Sequence, residues 1–225
     1  MREAVIVSTA RTPIGKAYRG AFNDTPAQAL GGHVIKHAVK RARVDPREVD
    51  DVIMGNALTQ GSTGGNAGRQ CLIRAGLPTS VAGMTIDRQC ASGMMAIATA
   101  AKQVIVDGMS ITVGGGLESI SLVQNKHQNL HRYADPWIVD EKPALYMSMI
   151  ETAEIVAARY NISREDQDQY AVQSQQRTHK AQVSGRFEDE IVPLPSRMKL
   201  LNKESKMLED VDVVLEKDEG NRPST

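Results

Sequence analysis

A regular alternation of short apolar runs and longer amphipathic runs, from residue 4 to about residue 118, is the feature that most restricts how this chain can fold. Four runs rich in β-branched and other apolar residues predict strands at 4–10, 50–58, 81–87 and 110–116. Three segments with helical spacing and boundary residues predict helices at 26–42, 66–78 and 90–107. Strands joined by helices of this length pair in parallel through right-handed crossovers. The pattern therefore predicts an α/β layered domain of βαβαβαβ order over residues 1–118.

The signals that begin and end the helices differ in strength. Thr25 is placed as the N-cap of the first predicted helix, with Pro26 in its first turn. Gly76 is expected to stop the second helix. These residue types favour helix boundaries because they satisfy or release backbone groups that the helix itself leaves unpaired.

After residue 118 the pattern changes. The stretch that follows is polar, carries two prolines and has no clean period, which indicates an insertion or a subdomain built from loops. Two helices are expected at about 148–160 and 163–184, the second beginning at Ser163. The remaining tail contains one strand-like alternation, VDVVL. A second domain is therefore expected over residues 119–225.

Charge and cysteine content exclude several classes of protein. The chain has 27 basic and 27 acidic residues and no basic stripe with interleaved aromatic residues, so nucleic acid is not an expected partner. Two cysteines do not make a disulfide framework, no metal-ligand spacing occurs, and a reducing setting fits best. The first residues are charged too early for a signal peptide, and the apolar stretch 89–101 ends at Lys102, short of a membrane span. We expect a soluble cytoplasmic protein without a metal ion.

Cys90 lies in the stretch TIDRQCASGMMAIATAAKQVIVDG, residues 85–108, between the third predicted strand and the helix after it. Ligands of parallel α/β sheets bind beyond the carboxyl ends of the strands. Backbone N–H groups at a helix start favour a thiolate, and Arg88 would add to that field. Free cysteine is also among the most buried residue types. Position alone leaves two readings of Cys90 open, a nucleophile or a buried core thiol.

The other residues with reactive side chains point to structure rather than chemistry. Cys71 falls in the middle of a predicted helix, on the side expected to pack, and is interpreted as structural. A nucleophilic thiol needs a base, and none of the five histidines stands out as one. His33 and His37 are four residues apart on a face with several basic residues, which indicates a solvated face rather than a metal site. The remaining histidines are His127, His131 and His179.

Several stretches together resemble the thiolases, the acyl-CoA C-acyltransferases. They follow the family's order along nearly the whole chain and lie at 7–22, 64–78, 87–97, 114–121, 149–177 and 185–193. The resemblance implies a thiolase fold, with an α/β layered N-terminal half followed by a loop domain that covers coenzyme A. It also implies that Cys90 is the residue acylated by the substrate, which favours the nucleophile over the core thiol.

The chemistry implied by this resemblance is thiolytic cleavage of a 3-oxoacyl-CoA to acetyl-CoA and a shortened acyl-CoA, or the reverse Claisen condensation. Coenzyme A and acyl-CoA are then substrates, and no covalently bound cofactor is expected. The family's His-Met-Gly triplet near the acyl site has its counterpart at Tyr146, Met147 and Ser148, where only the methionine matches. The resemblance therefore implies that Met147 and Tyr146 bind the substrate. The mismatch at the other positions of the triplet implies a substrate with a more apolar or longer acyl group. The NAGR stretch carries Gly68 where the family usually has alanine, and a packing adjustment is expected.

Members of the family are nearly twice as long as this chain and form homodimers or homotetramers. Their C-terminal half supplies Asn-Glu-x-Phe, Gly-His-Pro and Cys-x-Gly-Gly stretches, none of which occurs in this sequence. Two hypotheses stay open. The chain is either part of a larger enzyme that turns over only with the other half present, or a thiolase-like module that binds or scaffolds without catalysis. A different cysteine hydrolase is disfavoured because no His/Asn partner pattern appears.

Overall fold

The computed structural model, which describes residues 2–224, contains a three-stranded parallel sheet. The strands are β1 (Asp51–Gly55), β2 (Ala82–Ile86) and β3 (Thr112–Gly116), in the order β2-β1-β3. In register, Asp51 lies opposite Ala82 on one side and Thr112 on the other. The parallel pairing predicted from the alternation of strands and helices is therefore confirmed.

Three helices accompany this sheet at the positions that the sequence predicts. They are α1 (Ala27–Ala42), α2 (Ala67–Ala75) and α3 (Ser92–Ile105). Gly76 ends α2 with φ of 87°, a left-handed conformation that favours glycine. The start of α1 differs from the prediction. Pro26, not Thr25, occupies the N-cap, because the Thr25 hydroxyl lies 2.6 Å from the Ser196 hydroxyl and pairs with it instead.

The core consists of two layers, one on each face of the sheet. Val52 and Met54 of β1 belong to a buried cluster with side chains of α1 and α2. Ile53, which points to the opposite face, packs with Ala96 and Ala100 of α3. Because successive strand residues alternate between faces, β1 is covered on both sides and is the most buried strand.

The strand predicted at residues 4–10 is wrong, since no strand forms there. Val5, Ile6 and Val7 are 76, 78 and 70 % exposed. Two side-chain bonds hold the segment to α1 instead: the Ser8 hydroxyl donates to the Ala38 carbonyl at 2.7 Å, and Arg41 donates to the Thr9 carbonyl, also at 2.7 Å.

The physical reason is the lack of a neighbouring backbone. A strand is stabilised by hydrogen bonds to an adjacent strand, and β3 pairs only with β1 among the described residues. Ala10 and Gly116 both line a cavity of about 350 Å³, together with Leu30 and Val34 of α1. The apolar pattern of residues 4–10 is therefore present without the partner that would turn it into a strand.

An antiparallel hairpin completes this part of the molecule. It is formed by β4 (Leu194–Leu201) and β5 (Leu208–Leu215), and its buried ends pack against Ala21 and Phe22. The VDVVL alternation lies within β5, whereas β4 is not predicted from the sequence. Further short elements of the described chain include α4 (Ile120–Val123) and 3₁₀ helices at Pro46–Glu48, Gly61–Thr63 and Pro143–Tyr146.

The described residues fall into two compact units. The first contains the residues up to Gln128 together with Glu188–Gly220, and the second contains Asn129–Phe187 and the residues from Asn221 onward. The expected domain boundary between residues 118 and 119 stays a prediction.

Helices make up most of the second unit. They are α5 (Pro136–Glu141), α6 (Met149–Tyr160) and α7 (Arg164–Val183), and the last two confirm the predicted helices. None of the three contains a buried residue. Across residues 2–224, no helix combines the length and the apolar character needed to cross a membrane.

Candidate active site around Cys90

The structure places Cys90 in the turn that joins β2 to α3, beyond the carboxyl end of β2, with its side chain exposed. This is the location that the sequence predicts, and it is the edge of the sheet at which parallel α/β proteins bind ligands. The alternative reading of Cys90 as a buried core thiol is therefore wrong.

Two glycines at the ends of neighbouring strands bring the first turn of α3 down onto the sheet. A Cβ on Gly55 would lie 2.6 Å from the backbone nitrogen of Gly93 and closer still to the Ser92 carbonyl group. A Cβ on Gly116 would lie 2.9 Å from the Gly93 Cα. Real Cβ atoms do not approach backbone atoms this closely, so a side chain at either position would push α3 away. The two glycines therefore set how closely the helix that follows Cys90 approaches the strand ends.

The turn itself is closed by a compact set of hydrogen bonds. The Asp87 carboxylate accepts the Gln89 N–H at 2.7 Å. Gln89 has φ of 49°, a left-handed conformation that is uncommon for residues other than glycine. Ser92 is buried, and its hydroxyl accepts the Arg88 N–H at 2.8 Å and donates to the Gln89 carbonyl at 2.6 Å. The residues on both sides of Cys90 are thus fixed while its thiol stays accessible.

Helix α3 begins directly after this turn. Its first backbone hydrogen bond runs from the Met95 N–H to the Ala91 carbonyl at 2.9 Å, so the amides of Gly93 and Met94 precede the regular ladder. Such amides carry the positive end of the helix dipole and favour negative charge nearby. Cys90 stands two residues ahead of Ser92, the first residue of this helix.

Cys71 provides the contrasting thiol. It is fully buried, and its Sγ lies 3.8 Å from the Ala27 carbonyl oxygen. Burial raises the pKa of the Cys71 thiol to about 11, because the charged thiolate is poorly solvated there. The structural role predicted for Cys71 agrees with this burial.

The solvated face predicted for the histidines of α1 is only partly correct, because its basic residues are exposed whereas the histidines are not fully so. His33 and His37 are half-buried, with ring centroids 4.5 Å apart. Burial lowers the pKa of both side chains. The backbone carbonyls of Val192 and Pro193, ahead of β4, cover His33, which sequence spacing on α1 could not reveal. None of the hydrogen bonds within residues 2–224 joins a histidine to Cys90.

Two polar residues that follow strands were missed by the sequence reasoning. Asn56 comes directly after β1 and is buried, and its Oδ1 has no partner among the described residues. Glu118 comes two residues after β3, and one carboxylate oxygen accepts the Ala57 N–H at 2.8 Å. Its second oxygen is buried without a partner in the described chain. A polar residue just past a predicted strand is the signal that would have identified both.

Gly68 lies at a close contact between α2 and β2, and the packing adjustment expected there relative to alanine stays a prediction. A Cβ on Gly68 would lie 2.9 Å from the Met84 carbonyl carbon and closer still to the carbonyl oxygen. The Gly68 N–H donates to the Thr85 hydroxyl at 2.9 Å. The start of α2 therefore rests on the backbone of β2, the strand that leads to Cys90.

Tyr146 and Met147, the predicted substrate-binding residues, belong to the second unit. Both are half-buried in a unit whose other side chains are mostly exposed. The Tyr146 hydroxyl accepts the Asp135 N–H at 2.9 Å, and its ring meets Tyr133 edge-on at 6.0 Å. These contacts support the local fold, and a part for either residue in substrate binding stays a prediction.

Comparison with known proteins agrees with this architecture. The family model described as the thiolase N-terminal domain matches residues 4–225. The 3-ketoacyl-CoA thiolase of Bacillus subtilis is 40 % identical over 226 residues, which cover 100 % of this chain and 57 % of that protein. The acetyl-CoA acetyltransferase of Paracoccus denitrificans is 42 % identical over 203 residues, 86 % of this chain and 51 % of its own length.

A solved structure gives the same result for the fold. The crystal structure of the Bacillus anthracis acetyl-CoA acetyltransferase matches with a TM-score of 0.83 at 35 % identity, covering 100 % of this chain and 56 % of the other. The α/β thiolase fold expected from the sequence is confirmed. The chain spans a little over half the length of the relatives it matches. A family model that matches almost every residue, together with relatives at 40 % identity or more, establishes that this chain belongs to the thiolase family.

Proposed function

We propose that this chain carries the nucleophile of an acyl-CoA C-acyltransferase, and that Cys90 forms the acyl-thioester intermediate. The supporting observation is the position of the Cys90 thiol, which is exposed at the carboxyl edge of a parallel sheet and at the start of α3. The names of the relatives, 3-ketoacyl-CoA thiolase and acetyl-CoA acetyltransferase, add the substrate class.

The proposed reaction follows from thiolate chemistry. The Cys90 thiolate adds to the 3-keto carbonyl carbon of a 3-oxoacyl-CoA, and the bond between C2 and C3 breaks. The two-carbon fragment leaves as the acetyl-CoA enolate and takes up a proton, which gives acetyl-CoA. The thiol of a second coenzyme A loses its proton and attacks the Cys90 thioester, which releases a shortened acyl-CoA and restores the thiolate. The reverse order of steps is a Claisen condensation.

Coenzyme A and acyl-CoA are the proposed ligands, without a covalently bound cofactor. We propose that Met147 and Tyr146 contact the acyl or pantetheine portion. A thioether side chain is flexible and tolerates apolar groups of different lengths, which suits an acyl chain. Met147→Ala should raise the KM for a longer acyl-CoA more than the KM for acetyl-CoA. Equal changes in KM for both substrates would contradict the assignment of Met147 to the acyl site.

Full turnover is proposed to need the remainder of a thiolase, since the chain corresponds to 57 % of the Bacillus subtilis relative. The second candidate, a module that binds without catalysing, is favoured by one observation: no histidine is hydrogen-bonded to Cys90 within the described residues. A nucleophilic thiol without a base is slow.

Mass spectrometry distinguishes the two candidates. The chain is incubated with acetyl-CoA or acetoacetyl-CoA, alone and with the C-terminal remainder of the Bacillus subtilis relative as a second polypeptide. One acetyl group on the peptide that contains Cys90 is expected with both chains present, and little or none with this chain alone. Cys90→Ser should abolish the adduct, whereas Cys71→Ala should keep it. No adduct on Cys90 in the combined sample would contradict the nucleophile assignment.

We also propose that the intact enzyme is a homodimer or homotetramer that works in the cytoplasm. A reducing compartment would keep Cys90 as a free thiol. Isolated, the chain should self-associate, because exposed apolar side chains such as Val5, Ile6 and Val7 favour association. Light scattering that showed only a stable 24.5 kDa monomer would contradict this part of the proposal.

A further inference from the structure

We infer that Ser92 is a positioning residue for Cys90, which acts by holding Gln89 in its left-handed conformation. The inference rests on the proposed function only in treating Cys90 as the nucleophile. It concerns how the thiol is held, and it is testable on this chain without acyl-CoA.

Hydrogen bonds close the turn that contains Cys90. Residues 88–92 are closed by two main-chain bonds, from Ala91 to the Arg88 carbonyl at 3.1 Å and from Ser92 to the Gln89 carbonyl at 3.0 Å. The Ser92 hydroxyl adds two more, to the Arg88 N–H at 2.8 Å and the Gln89 carbonyl at 2.6 Å. One buried hydroxyl thus binds the backbone on both sides of the residue that precedes Cys90.

These hydrogen bonds maintain an uncommon backbone conformation at Gln89. Gln89 has φ of 49° although its side chain has no special preference for that region. Residues in such conformations persist where the surrounding structure holds them. The Asp87 carboxylate fixes the Gln89 N–H, and the Ser92 hydroxyl fixes its carbonyl. Without the hydroxyl, the Gln89 carbonyl would lose the shorter of its two hydrogen bonds and keep the one from the Ser92 N–H at 3.0 Å.

Ser92 connects the turn both to the sheet and to the peptide that leads into Cys90. Ser92 is 3 % exposed, and its backbone rests on Gly55 at the end of β1. The same residue therefore fixes the start of α3 on the sheet and the peptide that leads into Cys90. Loss of the hydroxyl should leave α3 in place while the backbone that leads into Cys90 is held less firmly.

The test measures alkylation of Cys90 by iodoacetamide at neutral pH, followed by mass spectrometry of the native chain. Ser92→Ala should lower the rate about fivefold, the equivalent of the ~1 kcal/mol that one intramolecular hydrogen bond contributes, because the backbone that leads into Cys90 is then held less firmly. Cys71 is an internal control, because it is buried and should stay unlabelled while the fold is intact. Ser119→Ala is the matched control: Ser119 is also a buried serine before a helix, at α4. Its hydroxyl makes no side-chain cap bond, so the rate should not change.

Substitutions of Gln89 separate positioning from packing. Gln89→Gly in the Ser92→Ala background should restore most of the alkylation rate, because glycine adopts positive φ without a Cβ penalty. Gln89→Val with Ser92 intact should reproduce the loss, because a β-branched residue resists positive φ. A purely structural role of Ser92 in packing would not be rescued by glycine at position 89.

Three results would overturn the inference. The first is a wild-type alkylation rate in folded Ser92→Ala, and the second is an equal loss in Ser119→Ala. The third is a wild-type rate in Gln89→Val, which decides the matter if circular dichroism shows that Ser92→Ala does not fold. Failure of the proposed function has a different signature: the alkylation pattern would be as expected, but no acyl adduct would form on Cys90 in the combined sample.

Discussion

The two units stabilise their helices by different means. In the first unit, helices lie directly on strands, and Gly55 and Gly68 occupy positions where a Cβ would meet backbone atoms. In the second unit, none of the helices contains a buried residue, and each begins at a side chain that accepts a backbone N–H. These N-cap residues are Asp135, Ser148 and Ser163. The first unit therefore depends on contacts between distant parts of the chain, whereas the second depends on neighbours in sequence.

The two units also differ in which candidate site residues they contain. Cys90 lies in the closely packed unit, where the position of a thiol is fixed by strand ends and a helix start. Tyr146 and Met147 lie in the locally stabilised unit, where both are half-buried. The thiol and the two predicted substrate-binding residues therefore belong to units that are stabilised in different ways.

The largest expected effect comes from truncating equivalent side chains in the two units. Leu72→Ala, in α2, should lower the free energy of unfolding by about 3–4 kcal/mol, because the fully buried side chain would leave a cavity. Ile150→Ala, in α6, should change it by less than about 0.5 kcal/mol, since the side chain is 77 % exposed. Urea unfolding measures both. Equal effects would break the distinction between the units.

The second prediction concerns the contact that sets α3 on the sheet. Gly55→Ala should destabilise the first unit by about 2–3 kcal/mol, because the added Cβ must displace backbone atoms of Ser92 and Gly93. Gly93→Ala is the matched control. Its Cβ would meet nothing closer than the Gly116 Cα at 3.7 Å, so a change within about 1 kcal/mol is expected. Thermal unfolding that ranked the two variants the other way would contradict this account of the packing.

The third prediction uses the buried thiol of the first unit. The pKa of Cys71 is raised from 9.0 to about 11 in the folded chain, so the folded state retains the proton that the unfolded state loses. The associated stability is present below about pH 9 and is lost as the pH rises toward 11. Urea unfolding should show a loss of about 2 kcal/mol over this window. The same loss in Cys71→Ala would assign it to other groups.

The smallest effect is expected at a cap in the second unit. Ser163→Ala removes the hydroxyl that accepts the Asp166 N–H at 3.0 Å, and should weaken the first turn of α7 by about 1 kcal/mol. Amide hydrogen exchange of the first turn measures this directly. Ser174→Ala, within α7, is the control and should leave exchange of that turn unchanged. If the two variants showed the same amide exchange in the first turn, local capping would not be what stabilises this unit.

Sequence reasoning succeeded where the signal is local. Ser163 followed by acidic residues marked the start of α7, and Gly76 marked the end of α2. The position of Cys90 followed from a strand and a helix on either side of it, which needs no knowledge of distant contacts. The parallel sheet followed from helices between strands.

It failed where an element depends on a partner far along the chain. Residues 4–10 have the composition of a strand but no neighbouring backbone to pair with. Strand β4 carries a proline and charged residues, and it becomes a strand because β5 lies beside it. Thr25 does not form the predicted N-cap, because its hydroxyl is hydrogen-bonded to the hydroxyl of Ser196. The bonds of Ser92 depend on the φ of Gln89, which a residue pattern does not specify.

The exposed run Val5, Ile6 and Val7 has a practical consequence for anyone who prepares this protein. A β-branched segment without a ladder is a template for the backbone of another molecule, and such templates nucleate fibrils when chains are crowded. Storage at high concentration should therefore produce thioflavin-positive deposits. Ile6→Lys would place a charge in this segment and should therefore slow the formation of such deposits.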